Sequence, residues 1–202
     1  MRDPEFLPVM ESFYTIQGEG HFAGTPAYFI RLGGCDVGCH WCDVKESWDA
    51  GQFEWVHINQ IVSEAKSSGT RIVVVTGGEP LMYNLSGLTQ LLKVQGLQTN
   101  IETSGAYPLS GQWDWICFSP KKFKAPLEEF YSKSDELKVI VFNKADFKWA
   151  EDHSSMMNER AKLYLQPEWS KEKEMTPLIV DFAKQYPQWK ISLQTHKYMQ
   201  IP

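Results

Sequence analysis

Apolar and polar positions along the chain alternate between short β-branched runs and stretches of helical period. Ala27 to Leu32 alternates as a strand, which places Arg31 on the face of Ala27 and Phe29. Ile58, Ile61, Val62 and Ala65 share one helical face, and Gly69 is the stop. Strands are predicted at Arg71 to Val75, Leu97 to Glu102, Trp115 to Phe118, Glu136 to Phe142 and Trp189 to Leu193, with a further apolar run at Leu163 to Leu165. Helices are predicted over Leu85 to Val94 and around Asp146 to Met157. A last helix starts near Thr176, with Thr176 as N-cap and Pro177 at the first helical position. Met10 to Gly24, with three glycines in its last seven residues, reads as a turn-rich loop. Six or seven strands alternating with helices imply βα units and a parallel sheet, too few for a closed eightfold barrel. Polar clusters come after the strands at Thr76 to Glu79, Glu102 to Ser104, Ser119 to Lys121 and Gln166 to Glu168, as one ligand-binding rim requires.

Composition narrows the class. The 202 residues, 43% hydrophobic, suffice for one core, so residues 7–202 are expected to form a single domain. Met1 to Phe6 is unlike the rest of the chain and is expected to be a leader without a role in the fold. A net charge of −5 without a basic run argues against a nucleic-acid partner, and no apolar stretch has membrane-spanning length. Clustered cysteines without an export signal point to the cytoplasm.

The chemistry concentrates in Cys35-Asp36-Val37-Gly38-Cys39-His40-Trp41-Cys42, which holds three of the four cysteines. Thiolates at Cys35, Cys39 and Cys42 can hold three irons of a cubane cluster and leave the fourth open to a small molecule. A tetrahedral zinc site completed by His40, His57 or Cys117 is the alternative. Cys117, in the apolar run Trp-Ile-Cys-Phe, reads as a buried small hydrophobe. The spacing resembles that of the radical S-adenosylmethionine enzymes. Thr76-Gly77-Gly78-Glu79-Pro80 resembles their Gly-Gly-Glu-Pro element, in which the glutamate holds the methionyl amino group. Gln17 and Glu19 flank Gly18; an amide and a carboxylate there can read an amino-pyrimidinone edge, or simply face solvent. Arg31 can clamp a carboxylate ligand or pair with an interior acid such as Glu19 or Glu79.

From about Leu7 to Pro202 the chain resembles the 7-carboxy-7-deazaguanine synthase family of queuosine-precursor biosynthesis. The carrying features are Phe-Tyr-Thr-Ile-Gln-Gly-Glu-Gly, the Arg31 strand, the cysteine triad, Thr76 to Pro80, Glu102-Thr103-Ser104-Gly105, Ser119-Pro120-Lys121, Gln166-Pro167-Glu168 and the terminal Lys-Tyr-Met-Gln-Ile-Pro. The resemblance implies a shortened, partly open parallel (β/α) barrel of the radical S-adenosylmethionine type, a homodimer, and a flavodoxin-like electron donor. It implies a carbon–nitrogen lyase using a 4Fe–4S cluster on Cys35, Cys39 and Cys42 with S-adenosylmethionine. The reaction would be the ring contraction of 6-carboxy-5,6,7,8-tetrahydropterin to 7-carboxy-7-deazaguanine with loss of ammonia. By matching positions, Ile16, Gln17, Gly18, Glu19, Arg31, Thr76, Glu102, His196 and the Pro202 carboxylate would meet the pterin, with Glu102 assisting proton movement. Gly78, Glu79, Ser104, Ser119, Pro120, Lys121, Gln166, Pro167 and Glu168 would meet S-adenosylmethionine. The chain departs from the family at one position. Val44 stands where the family often has a threonine whose hydroxyl helps bind Mg²⁺, so either substrate, water and Asp43 hold the ion or the chain depends on Mg²⁺ less, and the weaker dependence is the expectation. A glycyl-radical activase would share the triad but not need the Gln-Gly-Glu-Gly loop. A non-catalytic zinc or iron–sulfur module would not need Gly-Gly-Glu-Pro.

Overall fold

A computed structural model describes residues 3–202. Met1 and Arg2, part of the expected leader, lie outside the described residues. The rest of that leader is not idle: Glu5 accepts from the Ile58 amide at 2.9 Å, and Phe6 opens the first strand. The fold therefore begins before Leu7.

β1 (Phe6–Ile16) lies antiparallel to both β2 (Pro26–Leu32) and β3 (Glu54–His57). Neither β1 nor β3 is signalled by the apolar pattern. The bulge between Val9 and Glu11 breaks the period of two, and Pro8 sits inside the strand. Only the last residues of the stretch read as a loop, from Gln17 onward, form one. The His57 ring then caps α1 (Ile58–Ser67), accepting from the Asn59 amide at 3.2 Å.

The chain continues through β4 (Ile72–Gly77), α2 (Ser86–Val94), β5 (Gln98–Thr103), β6 (Trp115–Phe118), α3 (Glu129–Lys133), β7 (Glu136–Val141), α4 (Ala145–Ser154), β8 (Lys162–Pro167), α5 (Glu172–Gln185), β9 (Trp189–Ile191) and α6 (Thr195–Met199). The sheet order is β3-β1-β2-β4-β5-β6-β7-β8-β9, with every pairing from β2 to β9 parallel. These parallel strands are the ones the apolar pattern predicts. The nine-stranded sheet does not close, and it is the shortened, partly open barrel expected.

α5 departs from expectation. It starts at Glu172, with Pro177 inside it, and the Thr176 hydroxyl is buried without a partner rather than capping the helix. The turn at Trp169–Lys171 feeds directly into the helix, and Met175 and Ile179 are fully buried along it. Burial of about 1.5–3 kcal/mol per such side chain offsets the backbone bond that a proline removes. α6 is likewise unpredicted by the sequence pattern; its five residues are too few to show an apolar period.

Strand alternation separates two faces. Ile30, Leu32, Val73, Val75, Ile101, Phe118, Leu137, Val139 and Leu165 join the helices in the main core. Ala27, Phe29, Ile72 and Val74 form a small apolar base on the other face. Above that base the inner face turns polar: Arg31, Thr76, Glu102, Lys138 and Gln166 border one cavity.

Two glycines join the loops at its rim. The Gly78 amide donates to Leu32 O and the Glu79 amide to Gly34 O, both at 2.9 Å. A Cβ on Gly78 would lie 2.2 Å from Gly34 O and 2.8 Å from Cys35 Cβ, and one on Gly77 (φ +134°) would lie 2.1 Å from Leu32 O. The backbones touch because neither residue has a side chain. Gly78→Ala should therefore cost roughly 2–3 kcal/mol in urea denaturation and reduce iron uptake by the adjacent cysteine loop. Gly87→Ala, whose Cβ would meet only the flexible Ile58 Cδ1 at 3.1 Å, should stay within about 1 kcal/mol of the parent.

Candidate active site

The cavity has a volume of about 420 Å³, within the roughly 300–1,000 Å³ of small-molecule sites. One wall is the cysteine loop. Its first backbone bonds run from the Gly34 amide to Ser47 O at 2.6 Å and from the Cys35 amide to Trp48 O at 3.1 Å. Cys35, Cys39 and Cys42 all line the cavity, whereas His40, His57 and Cys117 do not. Among the described residues no three His, Cys, Asp or Glu side chains converge on a single-ion position. Burial pushes the Cys35 thiol up and the Cys39 thiol up to about 11. Thiols so buried become good ligands when a metal displaces their protons. Three cysteine sulfurs lining an open cavity suit a cluster with one accessible iron.

Beside this loop, Glu79 is buried and fully engaged. It accepts from the Leu81 amide at 3.1 Å, Thr103 Oγ1 at 2.6 Å, the Ser104 amide at 2.8 Å and the Ser104 hydroxyl. A carboxylate has about four acceptor positions, so a ligand ammonium would have to displace the Ser104 hydroxyl. Gly78, Ser104, Ser119 and Lys121 continue this wall, and Gln166, Pro167 and Glu168 close it; Pro120 alone of the expected set is absent from the lining. Lys121 Nζ folds back onto Ser119 O and Oγ at 2.7 and 2.6 Å. Its burial lowers its pKa.

The opposite wall is the loop after β1. Ile16, Gln17, Gly18 and Glu19 line it with His196 and Pro202. Thr15 Oγ1 donates to Pro202 O at 3.2 Å, holding the C-terminus at the cavity edge. A Cβ on Gly18 would meet His196 Nδ1 at 2.2 Å, so only glycine lets α6 seat here. Burial lowers the His196 pKa, favouring neutral imidazole. Arg31 pairs with neither Glu19 nor Glu79; its Nε donates to Glu11 at 2.6 Å.

The centre is a charge cluster that motif reading does not reveal. Lys138 Nζ lies 2.5 Å from Glu19 Oε2 and 3.4 Å from Glu102 Oε2. Gln17 Nε2 donates to Glu102 Oε1, and Gln194 Nε2 to Glu19 Oε1, both at 2.9 Å. Burial alone would raise the Glu19 carboxyl, but the Lys138 charge and hydrogen bond, with bonds from Gln194 and Gln166, bring it down to about 2. Burial alone would lower Lys138, yet Glu102 and Glu19 hold it well above the usual lysine value. Lys138 and Glu136 are legible in the sequence only as alternate positions of one strand. Gln194, and Lys197, which donates to Asp43 Oδ2 at 2.9 Å, give no local signal.

Comparison with known proteins agrees with this geometry. Residues 29–117 match the Radical SAM superfamily model, a span that includes the triad and Gly77 to Pro80. The chain is 58% identical over 198 residues to 7-carboxy-7-deazaguanine synthase of Flavobacterium psychrophilum, covering 98% of this chain and 94% of that protein. It is 47% identical to the Synechocystis sp. protein of the same name, covering 96% and 93%. The crystal structure of QueE from Escherichia coli superposes with a TM-score of 0.81 at 29% identity, covering 93% of each chain.

The depressed Glu19 carboxyl sets an acid dependence. A carboxyl at about 2 in the fold and 4.5 without it contributes stability above 4.5 that is lost as pH falls toward 2. In urea denaturation, Glu19→Gln should remove that part of the acid destabilisation and flatten the profile between these values.

Proposed function

The chain belongs to the 7-carboxy-7-deazaguanine synthase family of radical SAM enzymes, and we propose that this cavity converts 6-carboxy-5,6,7,8-tetrahydropterin to 7-carboxy-7-deazaguanine with loss of ammonia, a carbon–nitrogen lyase reaction. The observation that carries the reading is that a cysteine triad, the Gly77–Glu79 turn, Arg31 and the Glu19–Lys138–Glu102 cluster all border one cavity.

When bound, a 4Fe–4S cluster with S-adenosylmethionine would supply the radical chemistry that removes a hydrogen atom from the substrate. Cys35, Cys39 and Cys42 would hold the cluster. Glu79 and Ser104 would take the methionyl amino group, with Gly78, Ser119 to Lys121 and Gln166 to Glu168 around the remainder. Arg31 reaches the cavity while Glu11 fixes its Nε, a posture suited to clamping the substrate carboxylate. Ile16 to Gly18, Glu19 and the terminal Pro202 carboxylate supply acceptors for the amino-pyrimidinone edge. Thr76 borders the substrate space. Glu102, the more open carboxylate (23% exposed against 15% for Glu19), would assist proton movement as an ionised acceptor. Trp41, Trp48, Phe13 and Phe29 add apolar surface to the cavity lining.

The residues do not suit a protein-held Mg²⁺. Val44 offers no side-chain oxygen, and Asp43 is already engaged by Lys197. A one-electron donor of flavodoxin type, a homodimer and a cytoplasmic setting complete the reading; no helix of the described residues is long and apolar enough to cross a membrane.

Anaerobic reconstitution, reductant, S-adenosylmethionine and the tetrahydropterin should yield 7-carboxy-7-deazaguanine and 5′-deoxyadenosine by mass spectrometry. With an intact cluster, 5′-deoxyadenosine alone would reject the substrate, and neither product would reject the catalytic reading. Arg31→Ala should raise KM by roughly 10- to 100-fold, the worth of a charge-assisted contact. Removing Mg²⁺ with chelator should change kcat/KM by less than about tenfold; complete loss would contradict the role given to Val44.

A further inference from the structure

We propose that Lys138 is a positioning residue that keeps Glu19 and Glu102 both as hydrogen-bond acceptors, so that the cavity selects a ligand edge presenting only donors. This deepens the reading above and rests on it. Two carboxylates share one buried ammonium, Nζ lying 2.5 Å from Glu19 and 3.4 Å from Glu102. Side-chain exposure falls from 23% at Glu102 and 15% at Glu19 to 4% at Lys138, so the ammonium sits beneath them and the carboxylates face the ligand. Gln17 and Gln194 each donate into the pair, which spends their amide hydrogens on the same acceptors.

Without the ammonium, two like charges left beside one site would repel, one carboxyl would take up a proton, and one acceptor would become a donor. A 2-amino-4-oxopyrimidine offers its amino group and ring N–H together. It would then meet a donor where it needs an acceptor, and an unmatched buried donor is costly.

Other titratable groups stand near Lys138, among them Tyr164 of β8, its register partner, whose burial raises its pKa and keeps it neutral. Glu136 lies on its own strand and accepts from the His21 amide at 3.1 Å and Trp115 Nε1 at 3.0 Å. Cys117 of β6 points at Glu136 at 3.6 Å. Lys121 comes just after β6, and its charge also reaches Lys138. His196 of α6 stands by Glu19 across Gly18. Burial raises the Glu136 carboxyl and the Cys117 thiol and lowers the His196 imidazole, which favours the uncharged form of each. Lys138 is the ammonium in contact with both carboxylates.

The test uses cluster-loaded enzyme with S-adenosylmethionine and titrates 7-carboxy-7-deazaguanine, which carries the same donor edge, by calorimetry at several pH values between about 6 and 8.5. The parent and Lys138→Arg should bind with little pH dependence. Lys138→Met should bind more weakly at the acid end, by about tenfold for each unit below the raised carboxyl's pKa, and recover as pH rises. That dependence should persist with Glu136→Gln added and vanish with Glu19→Gln added, because a single carboxylate has no like charge beside it. Unchanged binding by Lys138→Met, or weakening equal at every pH, would overturn the proposal. Should Lys138→Met fail to fold, infrared difference spectra of the parent against Glu19→Gln and Glu102→Gln at pH near 6 decide it. Loss of an ionised-carboxylate band in both supports the proposal, and a protonated-carboxyl band in either overturns it. An absence of probe binding to the parent would count against the pterin reading, while the infrared result still judges Lys138.

Discussion

The Lys138 ammonium between Glu19 and Glu102 is the interaction on which the inner face depends. Removing three charges from water costs several kcal/mol each, and only close geometry with further hydrogen bonds recovers it. That requirement fixes more than the three side chains. Glu19 reaches the lysine only if the loop after β1 folds over the sheet, and Gln194 reaches Glu19 only if the chain after β9 crosses back to it. Thr195 completes the closure, its amide and hydroxyl both donating to Gly18 O. The first and last elements of the chain therefore meet over the middle of the sheet.

A second constraint joins cofactor chemistry to that centre. The contact between Gly78 and Gly34 leaves no room for a side chain, so the cysteine loop and the Gly77–Glu79 turn are set against each other by backbone alone. Glu79 carries the connection onward to Thr103 and Ser104, the residues beyond Glu102 on the same strand end. The cysteine loop, the Gly77–Glu79 turn and the end of β5 are thus steps along one hydrogen-bonded path. Reactants held in one cavity by fixed elements gain from orientation, which is what radical transfer between two bound molecules needs most.

Much of this is legible in the sequence because the signals are local. Short apolar runs mark each parallel strand, and the triad, Gly77 to Pro80 and Gln17 to Glu19 are short motifs. What is not legible is of two kinds. β1 and β3 lack clean alternation, since a bulge and Pro8 interrupt one and the other has four residues. Lys138 and Glu136 sit in a run whose polar positions, by pattern alone, would face solvent; both faces of a parallel sheet are covered, so here those positions point inward. The pairing of Lys197 with Asp43 joins residues 154 apart, and no spacing rule reaches that far. α5 is misplaced for the opposite reason. A strong local signal, Thr176-Pro177, is outweighed by the burial of Met175.

The central claim is that cofactor and pterin share this one cavity, close enough for hydrogen to pass directly between them. Turnover of substrate deuterated at C6 tests it most directly. The expected result is deuterium at the 5′ carbon of the adenosyl product in ordinary water, with none supplied by deuterated solvent. Protium there from labelled substrate, or label drawn from the solvent, would contradict a shared site.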